Sequence, residues 1–148
     1  MHQAYKLSIL YYLIFVLLLI TSAVMLFKTN IGISPNLVLD YYIGNEERFI
    51  TAKSSLGILK IIKPHIFTFA LLSMVLLHFL IFTNKRYKKS TLFLIYVTYI
   101  VAIMEMFSPI LIINGYEFFA YVKLFSFFFF LTLLVYISWL LFYSITFD

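Results

Sequence analysis

The sequence contains no cysteine. That absence removes disulfides, thiolate metal sites, iron–sulfur clusters and cysteine nucleophiles at once. Charge is scarce as well, at 11% of 148 residues, and only six side chains are acidic. Glycine occurs four times, as Gly32, Gly44, Gly57 and Gly115. All four read as connection residues, so close glycine-mediated packing between helices is not expected. There is no glycine-rich phosphate loop, no GxSxG, no HExxH and no pair of acids inside an apolar run. These gaps make an enzyme the less favoured reading.

What the chain has in quantity is hydrocarbon. Hydrophobic residues make up 64% of it, and the mean hydropathy of +1.05 lies far above that of a soluble domain. Four long apolar runs cover residues 8–27, 64–83, 91–113 and 118–142. Each approaches or exceeds the roughly 20 residues that cross a bilayer core of about 30 Å. The first run is too long for the apolar core of a cleavable signal peptide, which is about 7–15 residues. The expected architecture is therefore an all-α integral membrane protein forming a single domain, residues 1–148. It has four transmembrane helices in an antiparallel bundle, and a helical interfacial loop, residues 28–63, joins the first two spans.

The links after the second and third spans, residues 84–90 and 114–117, are short enough to force antiparallel neighbours. Lys85, Arg86, Lys88 and Lys89 crowd the first of them, which marks it as cytoplasmic and places both termini on the same side. The net charge of +5 reads as topology control rather than nucleic-acid contact, since no groove-sized basic patch is present. The Phe-, Ile- and Lys-rich composition points to a bacterial inner membrane.

Within the long loop, Ser34 and Pro35 supply an N-cap and a first-turn proline, and Gly44 closes the helix they open. Asn45, Glu46 and Glu47 offer a second helix start. From there to Lys63, one side carries Lys53, Lys60 and Lys63 and the other carries Ile50, Ile58, Ile61 and Ile62. That pattern fits a helix lying in the membrane interface, or equally a helix packed on the protein's own core.

An ionisable group in the bilayer costs about 2.5–3.5 kcal/mol by insertion scales, which makes His65, His78, Glu105 and Lys123 the candidates for chemistry. Glu105 lies about 21 Å into the third span at 1.5 Å per residue. Thr91, Thr98 and Glu105 recur on one face, so a polar stripe turns inward, either to carry function or to fix helix register. Lys123 enters the fourth span to a similar depth, where it either pairs with Glu105 or reaches back to the headgroups. His65 begins near the same level. The expected site is thus a cluster of His65, Glu105, Ser108 and Lys123 toward the outer end, with His78 deeper in the second span.

His65 and His78 lie about 140° apart around a helix at 100° per residue, so they do not share a face. A bis-histidine haem b would need a ligand from a partner chain, and a zinc site lacks ligands within this one. No cofactor is expected on this basis, and haem b or a quinone remains the redox alternative. The expected partners are the lipid bilayer and another membrane protein or a second copy, because four successive rings, Phe127 to Phe130, exceed what one packed face can use. Three functions stay open: an interaction or accessory subunit, a haem- or quinone-binding redox protein, and a small oligomeric transporter using Glu105. Size, span number and the Phe/Ile/Lys-rich composition resemble the small membrane-embedded bacteriocin immunity proteins, a resemblance that implies a protein-binding role.

Overall fold

A computed structural model describes residues 3–83 and 88–147. The first helix, α1, spans Gln3–Asn30 and is followed by the short α2, Pro35–Ile43. Helix α3 runs Ser55–His78 and tightens into a 3-10 turn over Phe79–Phe82; α4 covers Lys89–Ile113 and α5 covers Phe119–Phe147. Four of these segments, of 28, 28, 25 and 29 residues, are long and apolar enough to cross a membrane. Residues Lys85 and Arg86 of the basic link lie outside the described residues; Lys88 and Lys89 flank the start of α4.

Two boundaries differ from the sequence reading. The second membrane helix starts at Ser55 rather than near Pro64, so Gly57 and Pro64 both lie within it. Ser54 caps it by accepting from the Gly57 amide at 3.1 Å. Pro64 removes a helix hydrogen bond, but it lies on an exposed face, while Ile58 and Ile62 are buried against α2 and the adjoining ends of α4 and α5. Burial of that isoleucine face carries the helix through the proline. The segment is therefore packed on the protein's own core, and it is not a separate interfacial helix. The second difference is at residues 45–50, where Asn45 and Ile50 exchange backbone hydrogen bonds of 2.9 Å in a small hairpin instead of opening a helix.

Helix α2 forms as its sequence predicts. The Ser34 side chain accepts from the Leu37 amide, and Gly44, at φ 92°, ends the helix with its N–H donating to Asp40 O. A side chain at position 44 would meet Ala52 N at 2.7 Å, so only glycine permits this hairpin to close on the helix. Lys53 N then donates to Tyr42 O at 2.9 Å.

The bundle has two ends of different character. At one end α2 lies across α3, α4 and α5, burying Val38 and Tyr42 against Ile58, Ile62, Ile112 and Ala120. At the other, Lys6 Nζ donates to Ile145 O at 2.9 Å and Tyr5 stacks on Phe82, so the two chain termini and the end of α3 gather. Between them, Leu76, Phe130, Leu134 and Ile137 form the middle of the core. Helices α4 and α5 are the most extensively packed pair.

Candidate functional site: a charge pair beneath the helical cap

Glu105 on α4 and Lys123 on α5 keep only 3% and 6% of their surface exposed. Lys123 Nζ donates to Glu105 Oε1, forming a buried ion pair, and also donates to the backbone oxygen of Glu105 at 3.0 Å. The second contact has a covalent origin. Pro109 lies inside α4, four residues after Glu105, and has no N–H to give to that carbonyl. The carbonyl freed by Pro109 and the carboxylate of the same residue face one ammonium. A single lysine thus satisfies two acceptors that lipid would leave costly.

Tyr42 of α2 closes the site from above, with 2% of its surface exposed. Burial, reinforced by the negative charge of Glu105 and then by Tyr41, pushes its phenol well above the ordinary tyrosine range. Tyr42 is thus a neutral side chain near Glu105 and adds no second anion to the site. Ser126, one turn along α5, donates to Lys123 O at 3.2 Å and is buried as well.

The expected four-residue cluster contracts. Ser108 is buried but donates to Met104 O in its own helix. His65 is exposed, its Nδ1 bonded to Ile61 O at 2.7 Å and its ring set edge-on to Phe69. Being on the outer face of α3, it does not join the pair. His78 is also exposed, further along the same helix. Among the described residues no three His, Asp or Glu side chains gather to hold a metal ion. Of the threonine stripe, Thr98 is fully buried and Thr91 only partly.

Two features of the site were not read from the sequence, although each left a trace there. Glu105 and Pro109, four apart, announce a helix carbonyl without a donor. Val38 and Tyr42, also four apart, form the inward face of a helix already bounded by its caps.

Chemically, the arrangement does one thing well. It fixes α4 to α5 at a set register and depth, with α2 seated over it. The ammonium, the carboxylate and the freed carbonyl are all engaged with one another. A groove of about 610 Å³ lies elsewhere, on α5 beside Ile33, and is lined by Tyr121, Phe125, Phe128 and Thr132 among others.

No curated protein and no solved structure matches the chain. A family model described as a transmembrane helical domain matches residues 32–148, well over half the length, and the chain belongs to that family, Aq_1264_TM.

Proposed function

We propose that this protein is a non-catalytic membrane subunit that works by binding another membrane protein, as an assembly factor or immunity-type protein does. The observation that carries the reading is Phe49. Its side chain is 94% exposed at the tip of the hairpin after α2, on a left-handed backbone with φ 55°. A bulky residue pays about 1–3 kcal/mol for such a conformation. The tip is held there by polar contacts: Arg48 pairs with Asp40 at 3.1 Å, and Asn45 Nδ2 donates to Asp40 Oδ1 at 2.8 Å. An aromatic ring presented on a braced turn, at a cost in stability, is what a recognition anchor requires. The inward polar groups support the same reading, because Glu105 and Lys123 are spent on each other.

The protein then sits in a bacterial inner membrane with Lys6, Lys88, Lys89 and both termini on the cytoplasmic side, and Phe49 is presented outside. Replacing Phe49 with glycine separates recognition from stability. Phe49→Gly relieves the left-handed strain and should raise stability by about 1 kcal/mol, seen as a higher Tm in detergent. Benzoylphenylalanine at position 49, irradiated in intact cells, should give an adduct with one membrane protein, and Phe49→Gly should abolish that protein's co-isolation with the chain. Adducts with lipid alone, or co-isolation indifferent to position 49, would end this reading.

A further inference from the structure

We infer that the outward face of α5 is a self-association surface, on which a second copy of this chain packs its own α5 about a two-fold axis along the membrane normal. The inference is independent of Phe49 and rests on what α5 exposes. Eight of its eleven exposed residues are aromatic, whereas α1 exposes eighteen residues of which three are aromatic. Both helices would meet the same lipid. The apolar part of the α1 face is mainly aliphatic, eight residues against three aromatic, as acyl chains demand, so the aromatic face of α5 answers to something else.

At 100° per residue the exposed aromatics of α5 fall within an arc of about 140°, opposite the face that holds Lys123, Phe130 and Ile137. They are 41–69% exposed. At roughly 150–250 Å² per ring they offer about 900 Å², against the ~800 Å² per partner of a standard interface. Two of them also carry polar atoms to the wrong place for lipid. Tyr136 and Trp139 are 51% and 62% exposed, within about 9 Å of the helix midpoint at 1.5 Å per residue. Tyrosine and tryptophan facing lipid belong in the interfacial belts, and deeper ones are expected to find an acceptor.

The shape of the face selects a copy of the chain as the occupant. Apart from Thr146 in the last turn, its smallest side chains, Thr132 and Val135, lie at the middle of α5, between Phe128 and Trp139. That makes a waist at mid-membrane, where two helix backbones come closest when crossing. Copies inserted with the same topology are related by rotation about the membrane normal, so residues of equal depth meet. Waist then meets waist, and the rings above and below interleave. Thr132 already donates to Phe128 O at 2.9 Å, so its hydroxyl is satisfied without a partner at the crossing.

The absence of native cysteine makes the test clean. Thr132→Cys in the full chain, oxidised in native membranes with copper–phenanthroline, should give a disulfide-linked dimer, since equal positions at a close crossing fall within the ~4.4–6.8 Å Cα spacing a disulfide needs. Leu18→Cys, near the middle of α1 and 59% exposed, is the control for random collision and should link at least roughly tenfold less. In the cysteine-free chain Thr132→Phe fills the waist, and it should weaken dimers, counted by photobleaching in dilute liposomes, by about tenfold or more. Phe49→Gly should leave the Thr132→Cys dimer intact. Equal linking at positions 132 and 18, or a monomer count unchanged by Thr132→Phe, overturns the inference and leaves the Phe49 reading standing.

Discussion

Helix α1 and the spans of the unit formed by α2 to α5 are all apolar enough to cross a membrane but differ in how firmly they are built in. In its most apolar window α1 is 17% buried, against 50% for α5. The family match begins at residue 32, two residues beyond the end of α1 at Asn30. The two regions also differ in how their polar side chains are held, although Lys6 and Tyr12 of α1 do reach Ile145 O of α5 and Leu72 O of α3. Ser8, Thr21, Ser22 and Thr29 of α1 all donate to carbonyls of their own helix, which satisfies them without a neighbour. Glu105 and Lys123 cannot be satisfied that way, and each requires the other helix. In a bilayer, where apolar side chains gain little by leaving lipid for protein, it is the unsatisfied polar group that commits a helix to a partner.

That contrast can be broken most decisively at the charge pair. Glu105→Gln or Lys123→Met alone should destabilise the chain by about 3–5 kcal/mol, because each leaves a buried partner uncompensated. The double replacement should cost much less than the two single costs added together. Thr21→Val on α1, by contrast, should stay within about 0.5 kcal/mol. Reversible unfolding in mixed micelles measures all four. Single and double variants of equal stability would show that the pair does not hold α4 to α5, and the distinction between the two regions would fall with it.

Much of this was legible in the sequence, and the missing parts share a cause. The four spans and the α2 helix follow from run length and from Ser34, Pro35 and Gly44, all local signals. The equal depth of Glu105 and Lys123 follows from counting residues inward from a short link. The start of α3 was misplaced because Lys60, Lys63 and Pro64 argue locally for a break, whereas Ile58 and Ile62 are held in helix by α2, which no local pattern reveals. His65 was placed in the cluster on depth alone; depth does not fix azimuth, and its ring lies on the outer face. Tyr42 needed the knowledge that α2 folds back over the bundle.

A finer test of the same unit concerns Pro109. Replacing it with alanine returns an N–H to Glu105 O and competes with Lys123 for that acceptor. In the native background the gain should be small, since the carbonyl is already satisfied. In Lys123→Met the carbonyl has lost its ammonium, and Pro109→Ala should recover about 0.5–1.5 kcal/mol more than it does in the native chain, the net worth of one hydrogen bond. The observable is the coupling in a double-mutant cycle. Additive effects would mean that Lys123 draws nothing from the proline-freed carbonyl.

The smallest effect expected sharpens the description of α1. Near its N-terminal end, Lys6 Nζ donates to Ile145 O at 2.9 Å, a carbonyl in the last turn of α5, where no helical donor follows and the dipole is negative. A cation there is worth about 0.3–1 kcal/mol, far below the pair at Glu105. Lys6→Met should therefore lower overall stability only slightly, yet its loss should be local. Amide exchange in the last turn of α5 should quicken, while exchange around Glu105 should not change. Lys6→Arg, which keeps a donor and a charge, should restore most of the protection. If Lys6→Met instead loosened α4 and α5 near the cap, α1 would be coupled to the whole bundle, and the division between an attached helix and a self-sufficient unit would be wrong.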